Sequence, residues 1–243
     1  WNWKANGGTA TATITESGDN PAAVVQANPT AGFSLITYTG TGDAGTIAHG
    51  LGAVPTMMII KNRDVADSWA VYHGANTAAP ATDYLILDTN AATADSDTMW
   101  ADTAPTSSVF TVHDAHSVNA DGEAYVAYVF ADVEGYSKMG GYVGNNAADG
   151  TFVYLGFRPA WIMIKRSNAT EHWHILDNKR DPFNFVDIEL WASLPNGESS
   201  GTERGDFLSN GFKIRGNNAG YNTSHNYIYM AFAEVPFKYA NAR

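Results

Sequence analysis

Several stretches of this chain occur twice, a little over 100 residues apart, and a chain that repeats itself in this way is built from two like modules. Met57-Met58-Ile59-Ile60-Lys61 returns as Trp161-Ile162-Met163-Ile164-Lys165. Pro55 returns as Pro159 and Trp69 as Trp173, all at an offset of 104 residues. Further on, Val109–Val112 matches Gly211–Ile214 and Tyr125–Asp132 matches Tyr227–Glu234, at an offset of 102. A tandem duplication of roughly 100 residues per copy implies two modules, each large enough to bury its own core. A residue kept in both copies reads as architecture. A residue present in only one reads as function or as drift.

The repeated blocks are short runs of Val, Ile, Tyr, Phe and Trp separated by Gly, Asn, Asp, Ser, Thr and Pro. That punctuation predicts an all-β protein. Strands are expected at 32–39, 56–62, 68–73, 83–88, 108–113 and 124–131 in the first copy. In the second they are expected at 136–143, 151–155, 160–166, 172–177, 186–191, 211–215 and 226–233. No segment keeps an apolar period of 3.6 over three turns. Ala-rich 75–94 is interrupted by Pro80 and reads as a loop with one strand inside. Six or seven antiparallel strands per copy make tandem, jelly-roll-like β-sandwiches the economical architecture. Between Tyr125 and Phe130 both alternating sets are apolar, which implies a strand covered on both faces, or an edge set against another module or subunit.

The expected organisation is a first copy at 31–134 and a second at 135–243. Residues 1–30 are expected to hold the end of a preceding module, marked by Trp1-Asn2-Trp3, followed by a Gly/Ala/Thr/Asn-rich linker. Stability must come from packing or assembly, because the chain has no Cys and hence no disulfide or thiolate metal site.

Charge is uneven. The net charge is −11, but residues 1–134 contain only three basic side chains, Lys4, Lys61 and Arg63, against fifteen acidic ones. An acidic chain repels phosphates, so no nucleic-acid partner is expected. No apolar run approaches the length of a membrane-spanning helix, and no membrane insertion is expected.

Several motifs match a pattern without its context. Gly40–Gly45 spells G-x-G-x-x-G, but the sequence leading to Pro55 cannot open the helix that a dinucleotide site needs. Gly197–Gly201 spells G-x-S-x-G in a polar loop with no α/β alternation around it. His172 and His174 share a strand face at a spacing that can chelate a metal, but the first copy has Ser68 and Ala70 there, so no metal site is assigned. Asn119–Glu123 is a fragment of a calcium loop without the distant bidentate acid, and reads as an Asx turn before a strand. No catalytic residue and no cofactor is expected. Aromatics at loops and strand ends are the remaining candidates: Trp100, Trp191 and Tyr221 could stack on sugar faces or anchor a subunit contact.

Longer signatures carry a resemblance. Gly32–Gly40, His49–Pro55, Met58–Arg63, Ser68–His73, Gly156–Pro159 and the closing Ala233–Arg243 resemble an uncharacterised C-terminal domain of tail-fibre-like virion proteins, common in marine tailed phages. The resemblance covers about residues 1–4 and 31–243. It implies a virion location, homo-oligomers, contacts with other virion proteins, and a structural or adhesive role toward host-surface glycan or protein. It supplies no active-site residue. The alternatives are a purely structural spacer or decoration protein, and a polysaccharide depolymerase, which would need paired carboxylates across a cleft.

Overall fold

A computed structural model describes residues 3–200 and 204–235. The chain forms two compact units. One comprises Trp1–Ile86 and Ala94–Asp132, the other Leu87–Thr93 and Val133–Arg243. Trp1 and Asn2, Gly201 of the serine motif and the last part of the closing signature lie outside the described residues.

In the first unit the strands are β1 (Ala12–Ile14), β2 (Ala23–Asn28), β3 (Phe33–Thr39), β4 (Gly45–Ala48), β5 (Met57–Asn62), β6 (Trp69–His73), β7 (Asp83–Ile86), β8 (Ala94–Asp95), β9 (Val109–Val112) and β10 (Ala124–Phe130). Two single-turn helices, α1 (Asp97–Trp100) and α2 (His116–Asn119), interrupt them. One sheet runs β1-β2-β3-β10-β5-β6-β7-β8, and β4 pairs with β9 in a second. Ile36, Ile60, Ala127 and Val129 of the first sheet pack with Ile47, Phe110 and Val112 of the second. This is a sandwich, with its core between the two sheets.

The second unit repeats the plan with β11 (Ser137–Val143), β12 (Asp149–Tyr154), β13 (Pro159–Arg166), β14 (Trp173–Asp177), β15 (Glu189–Trp191), β16 (Gly205–Leu208), β17 (Gly211–Arg215) and β18 (Asn226–Ala233). Its main sheet, β11-β18-β13-β14-β15, matches β3-β10-β5-β6-β7 strand for strand. Registers match too: Ile60 pairs with Ala70, and Ile164 with His174. Strands β12, β17 and β16 form the opposing sheet. The all-β sandwich fold expected from the repeat is the fold observed.

Four expectations need correction. The stretch taken as a linker contains β1 and β2, which extend the main sheet through β3. On β2 the buried positions are Ala23, Val25 and Ala27, whose small side chains give the strand a weak apolar signature. Strands β4, β8 and β16 lie outside the expected set, because each is short and holds few large apolar residues: Ile47 in β4, none in β8, and the adjacent Phe207 and Leu208 in β16, which do not alternate. Helix α1 is also too short for periodicity; Ser96 caps it by accepting the Thr98 N–H at 3.3 Å. The first copy also does not keep all of its own chain, since Leu87–Thr93 belongs to the second unit.

One device is built identically in both units and holds the loop before the last strand. Tyr38 stacks on Tyr125 at 5.1 Å and donates its hydroxyl to the Val118 carbonyl. Tyr142 stacks on Tyr227 at 5.0 Å and donates to the Tyr221 carbonyl at 2.7 Å. The Tyr125 hydroxyl donates to the His116 carbonyl and accepts the Ala120 N–H; Tyr227 does the same with Ala219 and Thr223. A fully buried carboxamide completes the latch. Asn119 accepts from the Thr41 N–H and donates to the Asp43 carbonyl, while Asn222 accepts from the Asn145 N–H and donates to the Ala147 and Gly216 carbonyls. Each carboxamide ties the loop before the last strand to the loop after β3 or β11, satisfying backbone groups that burial would otherwise leave unpaired.

Candidate functional site

The three aromatics expected at exposed positions are not alike. Trp100, on α1, is buried, with its indole N–H on the Asp83 carbonyl at 3.0 Å and its ring edge-on to Tyr72. Tyr221 is buried beside the latch. Both are corrected from candidate ligand contacts to core residues: each polar tip has an internal partner, so the ring is free to bury. Trp191 is half-buried on β15, with its ring edge-on to the His174 imidazole and its indole nitrogen 3.1 Å from Nδ1.

Trp191 and Tyr221 lead to a charged cluster in the second unit that was not foreseen. Glu189, at the start of β15, is 2% exposed. Its Oε2 accepts from Tyr221 at 2.5 Å and lies 2.9 Å from His174 Nδ1, and its Oε1 accepts from Arg204. Arg204 also lies over the Tyr221 ring at 5.5 Å. On the other side of the imidazole, His174 Nε2 faces Glu171 Oε1 at 3.6 Å, an ion pair rather than a hydrogen bond. Burial pulls the His174 pKa down, but Glu171 and Glu189 together more than offset it, and the net shift is upward. The imidazole holds the Glu171 carboxyl at about 2, with the His172 N–H helping. Burial raises the Glu189 carboxyl, and the hydrogen bonds from His174 and Tyr221 bring it below its ordinary value.

Chemically this is a pin. Both Glu189 oxygens are engaged by cations or donors, so the carboxylate orients its neighbours and has little freedom to attack or to accept a proton. His172 does not join the cluster. Its Nδ1 meets Ser193 Oγ at 3.0 Å, and among the described residues no group of three His, Asp or Glu side chains is placed to hold a metal.

The first unit carries a different polar arrangement. His116 sits on the surface between Asp67, at 3.0 Å, and Glu123, at 3.3 Å. The hydrogen bond with Asp67 raises its pKa most, followed by the Glu123 charge. Asn119, the residue that opened the calcium-like fragment, is the carboxamide of the latch, and Asp121-Gly122 forms the turn after it. Two surface grooves also lie in this unit. One, of about 290 Å³, is lined by residues such as Ile14, Tyr38 and Arg63. The other, of about 620 Å³, is lined by Trp3, Lys4, Gln26, Phe33, Leu35 and Tyr128, with Gly7 and Gly8. Neither is lined by a carboxylate.

Outward-facing aromatics do occur, on β12. Phe152 is 43% exposed and Tyr154 61%. Lys138 Nζ lies 5.6 Å from the centre of the Tyr154 ring. The register of β12 on β17 and of β4 on β9 aligns Phe152 with Thr46 and Tyr154 with Ala48. A signal for both surprises was present in the repeat. His174, Phe152 and Tyr154 each replace a small first-copy residue, and Tyr221 stands where the first copy has Val118.

Residues 1–236 match the family described as a domain of unknown function, DUF7483. The chain belongs to that family. No curated protein matches it, and no solved structure does.

Proposed function

We propose that this chain is a non-catalytic module of a tail-fibre-like virion protein that holds host-surface glycan or protein against the outer face of its second unit. The observation that carries the reading is the exposed pair Phe152 and Tyr154, with Lys138 beside the ring, where the first copy has Thr46 and Ala48. Residues two apart on a strand share a face, so the rings stand side by side. Flat aromatic faces of this kind receive the C–H faces of sugars or the side chains of a protein partner. The resemblance of the repeated signatures to phage virion domains supports the location. Binding of the full chain to host cells or their surface polysaccharide, with loss in the double variant Phe152→Ala/Tyr154→Ala, is the expected result. Wild-type protein that is folded and binds no cell, envelope protein or polysaccharide of the host contradicts it.

A purely structural role is the second reading. It is favoured by Leu87–Thr93, which ties one copy's loop into the other unit. A depolymerase is less well supported, because Glu189 is fully engaged and neither groove of the first unit offers a carboxylate.

A further inference from the structure

The second unit has an edge that is closed by a loop, and among the described residues no loop pairs with the same edge of the first unit. The loop is Leu87–Thr93, between β7 and β8. The Thr93 N–H donates to the Ser167 carbonyl at 2.8 Å, and the Asn90 carbonyl accepts the Glu171 N–H at 2.9 Å. Lys165 Nζ adds a bond to the same Asn90 carbonyl at 3.3 Å. Lys165 and Ser167 are buried, and burial brings the Lys165 pKa down to about 8.

The corresponding first-copy residues are Lys61, Arg63 and Asp67. The backbone is laid out in the same way: the Arg63 N–H donates to the Ala124 carbonyl as the Ser167 N–H donates to Asn226. Yet residues 63–66 are exposed, and Lys61 Nζ turns to the Asn62 and Val65 carbonyls instead. Among the described residues no backbone group pairs with the Arg63 carbonyl or the Asp67 N–H.

The second copy also has the matching loop. Trp191 pairs with His174 as Ile86 pairs with Ala70, and Ser199 bridges Glu189 as Ala94 pairs with Tyr84. Residues 192–198 are therefore the counterpart of 87–93. Ala192 and the run from Pro195 to Glu198 are exposed. The Lys61–Asp67 edge carries no net charge, since Asp64 and Asp67 stand beside Lys61 and Arg63, but Asp64 is engaged by the Ala124 N–H and Asp67 by His116, whereas Arg63 is exposed and has no ion pair among the described residues. The loop carries Glu198, 60% exposed and 3.3 Å from Arg180.

We propose that loop 192–198 of one chain docks on the Lys61–Asp67 edge of a second copy of this chain, as Leu87–Thr93 docks on Lys165–Glu171 within it. Such a contact joins unlike surfaces, so it propagates head to tail. It does not depend on the chain's being a virion protein.

Sedimentation of the full chain up to about 100 μM tests it, in a range where even weak contacts register. The expected result is concentration-dependent association that Arg63→Glu or Glu198→Arg each weakens about tenfold and that the double variant restores. Both positions are exposed, so the fold is retained. Because the chain has no Cys, a variant carrying Arg63→Cys and Glu198→Cys, treated with a mild oxidant, is expected to form disulfide-linked dimers and higher species if the loop of one chain reaches the edge of another. A wild type that stays monomeric overturns the proposal. So does association that is indifferent to both charges, or a double-cysteine variant that does not cross-link.

Discussion

In the first unit the ground between β6 and the latch is apolar, with Ala70, Tyr72, Trp100 and Val118 in one buried cluster. In the second unit the same ground holds His174, Glu189, Arg204 and Tyr221, all with side chains largely withdrawn from water. The backbone is alike in both, with the same strand order, register and Tyr–Tyr–Asn latch. One corner is therefore held by area removed from water and the other by charges that satisfy one another. The two differ in what disturbs them. An apolar corner responds to lost volume, whereas a charged corner responds to a lost partner and to pH.

Orphaning the charges disturbs the second unit most. Glu189→Ala leaves His174, Arg204 and Tyr221 without their common acceptor and is expected to cost about 3–5 kcal/mol in denaturant unfolding. Trp100→Ala, which removes a buried indole from the apolar corner, is expected to cost a similar amount, about 3–5 kcal/mol, but by a route that does not depend on pH. Tyr221→Phe keeps the ring and removes one hydrogen bond to a charged group, so about 1.5–3 kcal/mol is expected.

Acid acts on the charged corner through Glu171. The Glu171 carboxyl falls from its ordinary 4.5 to about 2 in the folded protein. Its stabilisation is therefore present above about pH 4.5 and is lost as pH drops toward 2. Glu171→Gln is expected to flatten that part of the stability profile. The smallest effect is expected at the exposed His116. Asp67→Asn should lower its titration midpoint, read by NMR, while leaving the unfolding curve nearly unchanged.

How much of this was legible in the sequence depended on the range of the interactions. The strands that carry repeated anchors, such as 56–62 and 160–166, fell where the pattern put them, because alternation and turn residues are local. The latch was within reach, since Tyr38/Tyr142, Tyr125/Tyr227 and Asn119/Asn222 all recur at nearly constant offset. Asn119 instead drew attention to a calcium-like fragment whose oxygens serve a turn. The charged corner was not within reach as a whole. Glu189, Arg204 and Tyr221 come from separate loops and strand ends, and only the fold brings them to His174. Trp100 and Tyr221 were misplaced for a related reason. Polar neighbours in sequence suggested exposure, while the hydrogen bonds that permit burial come from Asp83 and Glu189, distant along the chain.

His174 and Glu189 form an ion pair in one corner, whereas the positions that align with them in the other corner, Ala70 and Tyr84, carry no charge. The folded pKa of His174 is raised from 6.5, so its contribution is fully present below about pH 6.5 and is lost as pH rises through the folded value. Denaturant unfolding of wild type and Glu189→Gln at about pH 5.5 and about pH 9 measures this directly, with Trp100→Phe as the apolar comparison. The penalty of Glu189→Gln is predicted to be clearly larger at the lower pH, and that of Trp100→Phe to be the same at both. An equal Glu189→Gln penalty at the two pH values would contradict the account.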